Sequence, residues 1–399
     1  MQAALSRARS GFELGLDACV FLFLPVLALA SRGAAALAAI AGLCALGLAA
    51  SEGIAAWRRV RGTALILAVL VGWGLITSLW AVEPERSVLT AARLAGMFAA
   101  GLALMAAAAR IAAPRRLLAC LVIGLAVALA STVAQFATGG ELTGPFRIRP
   151  FKDPLLNQVE NGFVLLLLPL AATLVLRRQI VAAAVVAVAT AAVIFLLVGT
   201  AAKAAFSIGI GAAVLVYFWQ RRFARIAAVV SVLAVLAAPL IFPPLIGVPA
   251  IQRRAESYKF SMQHRLEIWS FAGARIGERP WFGWGLDASR AIPGGSGLTP
   301  EGKLLLPLHP HNVPLQLWLE LGLPGAALFA LLVARVWLGL AVAPWPRLYA
   351  TAAGGSLVTA LVVALGSYGV WQEWWIGTEF LSLFLILVMG RLAAQPQGP

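Results

Sequence analysis

All three histidines of this 399-residue chain fall between positions 264 and 311. Two of them, His309 and His311, flank a proline in "LHPHNVPLQLWLELGLPG", residues 308–325, and Asn312 follows directly. A neutral imidazole, with an ordinary pKa of about 6.5, can take a proton from a hydroxyl at physiological pH. Proline disfavours helix at the residue before it, so His309 is expected to be extended and both rings to be aimed by a stiff turn. A zinc site built on His309, His311 and Glu320 lacks a fourth ligand and a recognisable ligand spacing, so no metal is expected. A plain surface turn explains two neighbouring histidines, but it does not explain why the chain gathers every histidine in one segment.

A general base needs an electrophile with a leaving group. If that group is a phosphate or diphosphate, its developing charge must meet either a divalent ion or fixed cations. A magnesium site would gather carboxylates, whereas Glu256, Glu267, Glu278, Asp287 and Glu301 are scattered among arginines. A clamp of cations is therefore favoured, with Arg265 first. Arg147 and Arg149 in "GGELTGPFRIRPFKDPL" and Lys203 in "VGTAAKAAFSIGIG" are further candidates. A lone lysine near a helix end also fits snorkelling to an interface, and any single arginine fits a lipid head group. Asn157, Glu160 and Asn161 form an unusual polar cluster opening an apolar run, where pairing with one another or with helix ends would account for them. Glu320, nine residues after His311, either orients an imidazole or a bound sugar, or caps the "GLPG" turn. No cofactor is called for.

The elements that position these residues follow from composition. The chain is 61% hydrophobic and 12% charged, with a mean hydropathy of +0.91, which points to an all-α polytopic membrane protein. A helix needs roughly 20 apolar residues to cross a bilayer, and it satisfies its own backbone there. Runs of that kind lie near 12–31, 33–50, 62–81, 87–109, 117–138, 156–176, 179–199, 200–219, 223–246, 322–342, 349–370 and 374–392. About twelve spans are thus expected: nine within 1–246, a large loop over 247–321 and three within 322–399. Arg7, Arg9 and "ALAS" at 28–31 resemble a signal peptide, but a retained first helix is expected because another span follows at once.

Short breaks rich in arginine alternate with acidic or thinly charged ones; Arg58, Arg59 and Arg61, then Arg110, Arg115 and Arg116, then Arg221, Arg222 and Arg225 mark the cytoplasmic side. The loops 139–155 and 247–311 then face outward. Their positive charge asks for an anionic partner there. The net charge of +15 is otherwise assigned to anionic lipid heads, and no nucleic-acid partner is implied. Cys19, Cys44 and Cys120 lie inside spans without paired spacing, so no disulfide framework is expected. Residues 252–279 read as an amphipathic helix whose stripe of Ile268, Trp269, Ala272 and Ile276 shares a face with Arg265. That helix is expected to lie on the membrane surface with the stripe down.

"HRLEIWSFAGARIGERPWFGWG", 264–285, followed by "HPHNVPLQLWLELGLPGAALF", 309–329, resembles the signature region of the O-antigen ligase and Wzy-type polymerase superfamily. The resemblance implies a metal-independent GT-C-type glycosyltransferase of the bacterial inner membrane, with its active site facing the periplasm. It implies a donor glycan on undecaprenyl pyrophosphate and, for a ligase, a sugar hydroxyl of lipid A-core as acceptor. His311 matches the motif histidine that is the implied base, with His309 and Asn312 at flanking positions. Arg265 matches the arginine of Arg-x-x-x-Trp, with Trp269 its tryptophan, and is implied in diphosphate binding. Where members carry Ser-Arg, this chain has Ala202 and Lys203, which keeps the charge without the bidentate fork. A Wzy-type polymerase, with a second lipid-linked glycan as acceptor, is the nearest alternative. A lipid or glycan transporter is the more distant one and would put ionisable groups at mid-membrane; Arg93 and Arg335 are the residues to watch. The oligomeric state is left open.

Overall fold

A computed structural model describes residues 2–50, 54–141, 156–257 and 261–396. Arg147 and Arg149 therefore lie outside the described residues. The chain is a helical bundle: α1 (Gln2–Ala30), α2 (Gly33–Ala50), α3 (Ile54–Arg58), α4 (Arg61–Ile76), α5 (Pro84–Ala107), α6 (Pro114–Ala137), α7 (Asn157–Leu176), α8 (Ile180–Leu196), α9 (Thr200–Leu236), α10 (Ala238–Ile241), α11 (Pro249–Ser257), α12 (Ser261–Glu278), α13 (Val313–Val342), α14 (Arg347–Ala364) and α15 (Glu373–Ala394). Alanine and leucine dominate these segments, and proline stands in the first turn of α5 and α6, where its missing N–H costs nothing. Among the described residues there is no strand, only one isolated bridge between Leu298 and Leu304.

Ten of these helices are long and apolar enough to cross a membrane, against the twelve spans expected. The difference lies between residues 179 and 246. α8 has 17 residues and is a shorter apolar helix. α9 runs 37 residues through the places of two expected spans, with a break at Trp219, where φ is −134° and ψ is 39°. Its two halves run in opposite directions. Before the break, Ala205 O accepts from Thr359 Oγ1 at 3.3 Å and Tyr217 lies under the Arg347 guanidinium, so this half descends antiparallel to α14. After it, Gln220 donates to Leu340 O, Trp337 to Ser231 Oγ and Trp318 to Val235 O, so the chain ascends along α13. The arginines Arg221 and Arg222 sit just past the turn between the halves. Small residues allow close packing against α14: a Cβ on Gly209 would stand 2.1 Å from Thr359 Oγ1.

A second, smaller core lies at the end of the bundle that carries the loop 247–311. There Leu266, Ile268, Trp269, Ala272 and Ile276 of α12 pack with Leu306, Leu315 and Leu319. The apolar stripe of α12 is buried, but protein covers it, which corrects the expectation that it lies on the bilayer surface. The two arginines noted inside spans meet partners at helix ends. Arg93 pairs with Glu373, in the first turn of α15, at 3.5 Å, and Arg335 donates to Thr63, in the first turn of α4, at 3.0 Å.

Candidate active site

α13 begins at Asn312, whose side-chain oxygen accepts the N–H of Leu315 at 3.0 Å and so caps the helix. The Asn312 amide also donates to Leu365 O at the end of α14. The histidine turn is thereby tied to the first turn of one helix and the last turn of another. His311 itself has φ = 54°, a left-handed conformation that costs about 1–2 kcal/mol for a residue with a Cβ. Three hydrogen bonds hold it there. Trp269 Nε1 donates to Pro310 O at 2.9 Å, His311 N donates to His309 Nδ1 at 3.1 Å, and His311 Nδ1 lies 2.6 Å from Ser367 O.

That last contact settles the tautomer. A carbonyl only accepts, so Nδ1 carries the proton and the lone pair of the neutral ring sits on Nε2. The two imidazole centroids are 4.3 Å apart. Burial holds the His311 pKa below its ordinary value, opposed by the Ser367 hydrogen bond and assisted by the Arg265 charge. His309 is lowered further, to about 3, by burial first, then by His311, Arg290 and Arg265. Both rings are therefore neutral at pH 7. Arg265 is half-buried beside them, and desolvation lowers its own pKa from a value so high that the group stays cationic.

The Arg-x-x-x-Trp spacing has a mechanical meaning. Residues four apart share a helix face, so Trp269 can hold the carbonyl of the histidine turn while Arg265 stands by the rings. Trp269 is 5% exposed and packs edge-on against Phe242. It works here as a support, with its only polar atom spent on Pro310. Glu320 is fully buried, and four donors converge on it: Asp287 N, Ser289 Oγ, Gln316 Nε2 and Trp371 Nε1. Neither of its oxygens is left for a sugar. It instead ties the loop 279–291 and the segment 365–372 to α13.

Lys203 stands one turn into α9, where its charge is felt by Glu160. Glu160 and Asn161 are buried in the first turns of α7, and neither Glu160 carboxylate oxygen has a hydrogen-bond partner. The Asn161 amide donates to the Tyr368 hydroxyl at 2.9 Å, and that hydroxyl donates to Asn157 O at 3.0 Å. Tyr368 in turn feels Arg265, and burial raises its pKa. Lys203, Glu160, Tyr368, Arg265 and the two histidines thus lie toward the same end of the bundle, where the charge of one acts on the next. Four members escaped the sequence reading: Arg290, Ser367, Tyr368 and Gln372, whose amide lies 3.3 Å from His309 Nε2. For the last three the only signal was the polar break "GSYGVWQE", 366–373, between two apolar runs. His264, the third histidine, contacts Leu304 O at 2.8 Å. Among the described residues, no three His, Cys, Asp or Glu side chains gather as a metal site would require.

Residues 185–330 match the profile of the O-Antigen ligase family. The match takes in Lys203, Arg265, Trp269, His309, His311, Asn312 and Glu320. A Rickettsia prowazekii protein named "Putative polysaccharide ligase RP358" is 27% identical over 284 residues, which are 69% of this chain and 67% of that protein. A like-named protein of Rickettsia bellii is 26% identical over 330 residues, 80% of this chain and 79% of that protein. Fold and match together show a polytopic membrane protein similar to the O-antigen ligase family, which bears out the resemblance drawn from the two sequence signatures.

Proposed function

We propose that this protein is an O-antigen ligase of the bacterial inner membrane. In this reading it takes a glycan from undecaprenyl pyrophosphate and joins it to a sugar hydroxyl of lipid A-core at the periplasmic face, with a GT-C-type organisation. One observation carries the proposal: His311 is neutral, with its lone pair on Nε2, and stands beside the half-buried cation of Arg265.

The acceptor hydroxyl gives its proton to His311 Nε2, and its oxygen attacks the anomeric carbon of the donor. The bond from that carbon to the diphosphate oxygen breaks, and the electron pair leaves on the diphosphate. Arg265 and Lys203 meet the growing negative charge, with Arg147 and Arg149 as further contacts from outside the described residues. Fixed cations at a partly desolvated site stabilise such charge more than water does. His309, Asn312, Trp269 and Glu320 hold the turn. The arginine-rich breaks on the opposite side support the outward orientation, and the printed names of the relatives favour a ligase over a polymerase. The collection of polar groups at one end of the bundle argues for chemistry over transport.

The test is incubation of the purified protein with a defined undecaprenyl-pyrophosphate glycan and lipid A-core, with and without a chelator. Glycan appears on lipid A-core to the same extent in both. Recovery of intact donor, or glycan joined only to a second lipid-linked glycan, refutes the ligase reading.

A further inference from the structure

Glu160 is a buried charge to which the transfer chemistry gives no task. It stands in the first turn of α7, is fully buried, and has no hydrogen-bond partner on either carboxylate oxygen. A buried carboxylate in that condition is costly unless a cation answers it. Its neighbour Asn161 does not help, because the Asn161 amide is spent on Asn157 O and the Tyr368 hydroxyl. The cation whose charge reaches Glu160 is Lys203, which no ion pair engages among the described residues.

Backbone geometry brings the two together. The carboxylate lies against Gly199, the residue before α9, where a Cβ would overlap it. Only a glycine lets the side chain come so close to the start of that helix. Gly199 and Lys203 are four residues apart, and Lys203 N donates to Gly199 O at 3.2 Å. Helical side chains lean toward the N-terminus of their own helix, so the usual rotamers carry the lysine stem back over Gly199 and toward the carboxylate. A cation in the first turn of a helix opposes the helix dipole, and a carboxylate at the same place offsets it. Lys203 is half-buried, which leaves its long side chain free to turn from Glu160 to a ligand.

We propose that Glu160 is a positioning residue for Lys203 and that it tempers the grip of this cation on the diphosphate. With the site empty, the ammonium rests against the carboxylate. A bound diphosphate draws it away and leaves Glu160 unanswered. Diphosphate ligands therefore bind against this competition, and the lipid diphosphate left after transfer is released more readily. The inference rests on the reading in which Lys203 meets the donor diphosphate, and it adds a group that never touches substrate.

The test measures binding of undecaprenyl pyrophosphate, the product of the proposed transfer, to the full-length protein in nanodiscs. Glu160→Gln removes the charge at nearly constant shape and should tighten the Kd about fivefold, a coupling in the usual range for neighbouring groups. Glu160→Asp keeps the charge and should bind as the wild type does. In a Lys203→Met background, where binding is weaker, the gain from Glu160→Gln should vanish, a dependence that a carboxyl with a merely structural role would not show. An unchanged or weaker Kd in Glu160→Gln, a Glu160→Asp protein that binds as Glu160→Gln does, or a gain that persists alongside Lys203→Met would overturn the inference and leave the transfer reading standing. Wild-type protein that does not bind undecaprenyl pyrophosphate would overturn both.

Discussion

At His311 the backbone and the imidazole are constrained together: a left-handed φ turns the ring toward Ser367 O, and that carbonyl fixes the proton on Nδ1. The ring then presents its lone pair on Nε2, as the proposed base requires, without any change of tautomer. Because burial disfavours the imidazolium, more acid than usual is needed to protonate it. In a pH profile of kcat/KM for glycan transfer, the limb assigned to His311 should lie below the ordinary imidazole range of about 6.5, with activity lost as pH falls. A limb centred above pH 7 that disappears in His311→Gln would contradict the assignment. The histidines and Arg265 were legible in the sequence because their types are rare there and their charges unexpected. Tyr368, Ser367 and Gln372 were not, since a tyrosine or glutamine at the end of a span is ordinary until folding brings residue 368 to residue 161. Glu320 stands out in the sequence, but its task as a buried acceptor depends on Ser289 and Trp371, some thirty residues before and fifty after it.

Two elements position the site, and each gives a prediction. α12 acts through Trp269, whose indole N–H is the link to the histidine turn. Trp269→Phe keeps most of the apolar contact and deletes that donor, leaving the Pro310 carbonyl unsatisfied at a cost of about 1–3 kcal/mol. Transfer kcat should fall about tenfold or more while the donor Kd stays within about twofold; an unchanged kcat would show that the turn holds itself. The second element is the break in α13. Gly322 has φ = 65° and ψ = −161°, a region closed to side chains, and a Cβ there would stand 2.4 Å from Trp281 O. Gly322→Ala should lower the thermal midpoint sharply, with strain of about 1–3 kcal/mol before any clash; a wild-type midpoint would refute this. Helical periodicity revealed the buried stripe of α12, because spacing says that a face is covered. It does not say by what, and here Leu315 and Leu319 take the place assigned to lipid. A hydropathy window likewise registered apolar length around Trp219 without the backbone break that folds α9 back on itself.

Across the whole molecule, apolar helices carry a polar region to one end of the bundle, while the arginine-rich breaks gather at the other. That separation is what a transfer between a lipid-borne donor and a hydroxyl arriving from water requires. The central claim is that His311 and Arg265 do different jobs in one site. It is tested most directly by measuring donor binding and glycan transfer side by side in His311→Ala and Arg265→Ala, using purified protein in nanodiscs. His311→Ala is expected to bind the undecaprenyl-pyrophosphate glycan with near wild-type affinity yet to lose about 10²–10⁴-fold in transfer, the usual range for a general base. Arg265→Ala is expected to lose donor affinity as well. Transfer at the wild-type rate by His311→Ala, or an unchanged donor Kd in Arg265→Ala, would contradict that claim.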